Sequence, residues 1–122
     1  IREIDPEQFK DVDWIVVDIS FVPIHKVWEA LANILKTSEA RMLLLIKPQF
    51  ELPKEDVPPG GVVSNPGQIQ MSVKKVVELI ESEGFGVEAP MASQVKGRYG
   101  NQEFFVLVQS FAKVCSSITP IL

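Results

Sequence analysis

Asp18, Lys47 and Glu103 are the three residues whose types and placement suggest shared chemistry. Asp18 closes the apolar run W-I-V-V, and Lys47 follows the run M-L-L-L-I. Ligands of open parallel sheets sit beyond the carboxyl ends of the strands, so both side chains face one crevice. Glu103 opens the string E-F-F-V-L-V-Q, and an antiparallel strand there begins at the same rim. An acid beside a half-buried lysine keeps it charged or tethers its head, while desolvation acts the other way. A lysine so placed can take or steer a hydroxyl proton. Taken singly, each of the three is also what an ordinary solvent contact at a strand end looks like. His25 has no second histidine or cysteine at metal-ligand spacing, so a surface or capping role is expected and no metal.

The elements that must position these residues are read from apolar spacing. Residues 14–18 suit a buried strand with a polar end. Pro23 fits a first helical turn, and Ile24, Val27, Trp28, Leu31 and Leu35 recur at helical spacing, which predicts a helix over 23–36. Residues 42–46 form the next buried strand, completing a βαβ unit with parallel pairing. The stretch 48–65 holds four prolines and two adjacent glycines, so a long functional loop is expected. Asn65 and Pro66 then signal a helix start, with Ile69, Val73, Val76, Val77 and Ile80 as its apolar stripe and Gly84 as its stop. Residues 85–91 and 103–109 read as two further strands, paired antiparallel across a turn-rich loop. The predicted order is β-α-β-loop-α-β-β, which an unspecified α/β domain would share.

Composition narrows the class without naming it. The 122 residues allow one domain with a modest core, and the 46% apolar and 23% charged fractions are those of a soluble fold. The longest apolar run, 42–46, is too short to span a bilayer, and the first residues show no signal peptide. One cysteine, Cys115, makes no internal disulfide, which fits a cytoplasmic setting. The first residue is isoleucine, so the chain reads as a piece of a longer protein. A net charge of −4 gives no general pull toward nucleic acid, and any such binding must be local.

Four strings give a sharper indication: D-I-S-F-V-P-I over 18–24, L-L-I-K-P-Q-F-E over 44–51, G-G-V-V-S-N-P over 60–66 and G-N-Q-E-F-F over 100–105. In order and spacing they resemble the FtsJ-like ribosomal RNA methyltransferases, specifically the hemolysin-A (TlyA) branch. That family uses a Lys-Asp-Lys-Glu tetrad to methylate a ribose 2′-oxygen. The resemblance implies Asp18 as the tetrad aspartate, lying against S-adenosylmethionine, and Lys47 as the central lysine that eases deprotonation of the 2′-hydroxyl. It implies Glu103 as the glutamate that positions lysine and ribose. The first tetrad lysine, the glycine-rich cofactor loop and the S4-like RNA-binding module have no counterpart here. The implied unit is thus residues 1–122 as one partial domain, the carboxyl-terminal half of the methyltransferase domain, inactive alone. The implied fold is α/β: a partial Rossmann-like methyltransferase sheet of three parallel strands plus one antiparallel, with helices on the faces. The last strand would lie beside the Lys47 strand, leaving the first strand at an edge open to self-association.

Around this core, RNA contacts are expected from Ser20, Phe21, Gln49, Phe50, Lys54, Lys96 and Arg98. Phe50 could stack on a base or cover the core, and the lysines and Arg98 could meet phosphate or solvent. Gly60 and Gly61 suit a flap or a plain turn, and Asn101 a support for Glu103 or a turn. Three rival readings are weaker. A phosphoacceptor receiver needs paired acids on an earlier strand, and Asp11 and Asp13 are poorly placed for that. An amino-methyltransferase of DNA needs prolines that Asp18-Ile19-Ser20-Phe21 lacks. A hemolysin-like, membrane-lysing protein or a binding-only RNA relative is the remaining alternative; no segment here is long enough to span.

Overall fold

The computed structural model describes residues 5–97 and 100–110. β1 (Trp14–Val17) leads through a loop and a 3₁₀ turn at Ile24–Lys26 into α1 (Trp28–Ser38). β2 (Arg41–Ile46) follows, then α2 (Pro48–Glu51), a 3₁₀ turn at Lys54–Asp56, and α3 (Pro66–Ser82). β3 (Phe85–Val87), β4 (Met91–Ala92) and β5 (Phe104–Ser110) complete the order. A further 3₁₀ turn, Pro6–Phe9, precedes β1.

The sheet runs β1-β2-β5-β3, with β4 also paired to β5. β1 and β2 are parallel, in register Trp14↔Arg41 to Val17↔Leu44. β5 is antiparallel to β2, β3 and β4, and lies beside the Lys47 strand as the sequence suggests. Among the described residues five strands form where four are expected, because the predicted strand 85–91 is split. From Val87↔Val108 to Met91↔Phe105 one chain advances four residues and its partner three, so the register slips by one. The extra residue is a bulge, and Pro90 within it brings no N–H to the ladder.

The predicted helix 23–36 also shifts. Pro23 is extended (ψ 149°), and the α-helix begins only at Trp28. The Val27 N–H closes on the Ile24 carbonyl at 3.0 Å with Val27 at φ −116° and ψ 0°, which makes the corner 3₁₀. The Ile24 N–H, unpartnered within any helix that starts there, is met by a distant carboxylate. α1 ends where Glu39 turns left-handed at φ 57°. α3 matches its sequence signals: the Asn65 side chain accepts from the Gln68 N–H at 3.1 Å, Pro66 opens the first turn, and Gly84 takes φ 91°. The stretch 48–65 is more ordered than expected, since it contains α2 and the Lys54–Asp56 turn.

One core holds these elements together. Alternate residues of the sheet, among them Val17, Met42, Leu44, Ile46, Val106 and Val108, pack against Trp28, Leu31 and Leu35 of α1 and Val73, Val76 and Ile80 of α3. Trp28 meets Phe85 edge-on, ring centroids 5.4 Å apart. The described helices thus cover one face of the sheet. On the other face, Trp14 and Val16 are exposed and Leu43, Leu45, Phe105 and Leu107 half-buried. Among the described residues, no helix is long and apolar enough to cross a membrane.

Candidate active site

Parallel pairing of β1 with β2 brings their carboxyl ends side by side, and the next residue of each, Asp18 and Lys47, meets the other there. The Lys47 ammonium pairs with the Asp18 carboxylate at 2.5 Å and donates to the Ser20 hydroxyl at 2.9 Å. The lysine side chain is only 11% exposed whereas that of Asp18 is 61% exposed, so the acid opens to solvent and the lysine sits behind it. A charge-assisted bond of this kind fixes the lysine head in direction.

Glu103 arrives from the neighbouring antiparallel strand, just before β5, and is buried at 7% exposure. Its carboxylate accepts from the Gln49 amide at 3.1 Å. It makes no ion pair with Lys47 among the described residues. The predicted trio is therefore joined differently from a simple cluster: Asp18, Ser20 and Lys47 touch directly, while Glu103 reaches Lys47's segment through Gln49, two residues on. Gly97 closes the other side of Glu103, since a Cβ there would overlap the carboxylate. Nothing in the sequence marked Gly97 except its place in the loop before G-N-Q-E.

α2 spreads successive side chains to separate parts of the site. Gln49 bonds Glu103, Phe50 meets Phe21 with ring centroids 4.9 Å apart and planes at 49°, and Glu51 accepts the Ile24 N–H at 3.0 Å. Burial pushes the Glu51 carboxyl up to about 6, against the opposing pull of the Ile24 N–H and Lys75. Phe21 is 73% exposed and holds φ 67°, a left-handed conformation uncommon for an aromatic residue. A cavity of about 440 Å³ lies beside this pair, lined by Phe21, Gln49, Phe50 and Lys54, with Lys26 and Lys75 on its rim. Four residues expected to meet RNA thus share one concavity. Ser20 lies on the ion pair instead, Lys96 is exposed on the loop before Glu103, and Arg98 lies outside the described residues.

Asn101 is a loop clasp. Its side chain accepts from the Val63 N–H at 2.9 Å and donates to the Gly61 carbonyl at 2.8 Å. This ties the segment of Gly60 and Gly61, both at positive φ, to the loop that presents Glu103. Among the described residues no group of histidine, cysteine and acids could hold a metal ion.

The site is thus a lysine fixed by an acid at the end of a mixed α/β sheet, with a buried glutamate held by Gln49 and an aromatic-lined cavity alongside. The family model for FtsJ-like methyltransferases matches residues 1–110, and the chain belongs to that family. It is 35% identical over 99 residues to the 16S/23S rRNA (cytidine-2′-O)-methyltransferase TlyA of Mycobacterium tuberculosis, covering 81% of this chain and 37% of that protein. It is 31% identical over 105 residues to hemolysin A of Brachyspira hyodysenteriae, covering 84% and 43%. A crystal structure described as a candidate hemolysin from Lactococcus lactis superposes with a TM-score of 0.72 at 28% identity, over 88% of this chain and 52% of that one. The chain spans about two-fifths of the length of the curated relatives it matches.

Proposed function

We propose that the protein transfers a methyl group from S-adenosylmethionine to the 2′-hydroxyl of a ribose in RNA, with ribosomal RNA as the substrate class. The observation that carries this reading is the Lys47 ammonium held at the strand ends by Asp18 and Ser20. The M. tuberculosis relative, a 2′-O-methyltransferase by name, supports it. The chain is read as the carboxyl-terminal half of a Rossmann-like catalytic domain, inactive alone and cytoplasmic in the full protein.

The residues present fit one side of the cofactor. Asp18 offers an exposed carboxylate at the end of edge strand β1, suited to a cationic ligand. The glycine-rich turn that would hold the rest is not among the described residues. When bound, S-adenosylmethionine supplies the electrophilic methyl group.

The chain's own residues supply orientation and charge. The Lys47 ammonium hydrogen-bonds the ribose 2′-oxygen and stabilises the negative charge that grows there as the C–O bond forms, the hydroxyl proton passing to solvent water. Asp18 and Ser20 keep the ammonium from swinging to solvent, and Glu103 and Gln49 wall the opposite side. Phe21 and Phe50 offer ring faces for a base, and Lys54, Lys96 and Arg98 offer phosphate contacts. Incubating the full-length protein with ribosomal subunits and methyl-labelled cofactor, then hydrolysing the RNA in alkali, tests the reaction. Label in an alkali-resistant dinucleotide is expected; label in the alkali-released mononucleotides contradicts 2′-oxygen transfer.

The hemolysin names among the relatives raise a membrane-lytic reading, which liposome leakage by the purified protein would support.

A further inference from the structure

The loop between β1 and α1 carries Asp18, Ser20 and Phe21, and it needs an anchor at each end. Lys47 provides one anchor, through Asp18 and Ser20. The other lies at Ile24, whose N–H opens the 3₁₀ turn with no side-chain cap of its own. Glu51, 5% exposed, supplies the acceptor across 27 residues of sequence. Between the two anchors, Phe21 touches Phe50. The contacts Ser20–Lys47, Phe21–Phe50 and Ile24–Glu51 run in the same order along both segments, like a short zip between two loops. Phe21 at φ 67° sits inside the zip, in a conformation that persists only where its surroundings hold it. α2 is one hydrogen-bonded turn, with the Phe50 N–H on the Lys47 carbonyl and the Leu52 N–H on the Pro48 carbonyl. Glu51 and Lys47 are therefore rigidly linked.

We infer that Glu51 is a positioning residue for methyl transfer: by clamping Ile24 it fixes Ser20 and Phe21 relative to Lys47. This rests on the proposed reaction. A carboxylate is a costly choice for a buried site that an apolar side chain could fill, and the bond it makes leads to the loop facing the reacting groups. Glu51 touches no reacting atom, so its effect passes through the loop.

The test compares Glu51→Met with Glu51→Gln in the full-length protein. Methionine keeps the length and packs well in an apolar site but accepts no strong hydrogen bond; glutamine keeps an amide oxygen for Ile24. Turnover per active site, counted by cofactor binding, and KM for RNA are measured well below the melting temperature. Hydrogen exchange over residues 18–24 is followed alongside. Glu51→Met is expected to lose between about tenfold and a hundredfold in kcat/KM for RNA, with faster exchange over 18–24 and unchanged cofactor affinity. Glu51→Gln is expected to stay within about threefold of wild type, because its oxygen still accepts. A purely structural role lowers the melting temperature and leaves turnover per site and KM unchanged; that result overturns the clamp, as does a Glu51→Gln variant as impaired as Glu51→Met. A wild-type protein that methylates no RNA overturns the reaction itself, and the clamp's catalytic purpose with it.

Discussion

Glu51 links site geometry to solution behaviour through its proton. Its carboxyl rises from an ordinary 4.5 to about 6 on folding because it is buried. Between those values the native state keeps a proton that the unfolded chain releases, so this group's contribution to stability is greatest below pH 4.5 and is lost as pH rises through about 6. The change amounts to about 2 kcal/mol. Denaturant titrations of wild type and Glu51→Gln across that window should show the slope in the first and a flatter profile in the second. Gly97 makes a second prediction. Because a Cβ would meet the Glu103 carboxylate, Gly97→Ala should push Glu103 from Gln49 and cost about 1–3 kcal/mol of stability, read as a lowered melting temperature. The acids and the lysine of the site were legible because strand ends are legible. Their partners were not: Gln49 bonds a residue 54 positions away, and no local spacing encodes that.

The elements divide along the same line. α3 was readable end to end, since Asn65, Pro66 and Gly84 act within one turn of their own backbone. Asn65→Ala should accordingly cost about 1 kcal/mol, measurable by chemical denaturation, without touching the site. α2 was invisible because four residues cannot show a period, and the prolines around it read as loop. The late start of α1 lies in the backbone at Val27, at φ −116° and ψ 0° with its N–H on the Ile24 carbonyl, which the helical spacing of Ile24 and Val27 does not encode. The broken strand at Pro90 was in principle available, because proline inside a strand run is a warning in itself.

At the scale of the whole molecule, the described helices cover one face of the sheet and leave Trp14 and Val16 exposed on the other, beside an edge strand with no outer partner among the described residues. The isolated chain should therefore self-associate through β1 and that face, seen as a mass above monomer by light scattering at rising concentration; a strict monomer would refute this. The chain spans about two-fifths of the length of its curated relatives, and the full-length protein is the object for the decisive measurement. That measurement is the rate of methyl transfer to ribosomal subunits by the full-length protein, with Lys47 intact and with Lys47→Ala. The account predicts transfer to a 2′-oxygen by the wild type and a loss of at least about a hundredfold on substitution, with folding and cofactor binding retained. A folded Lys47→Ala protein that methylates as fast as wild type would contradict it, as would a folded, cofactor-binding wild type that methylates no RNA.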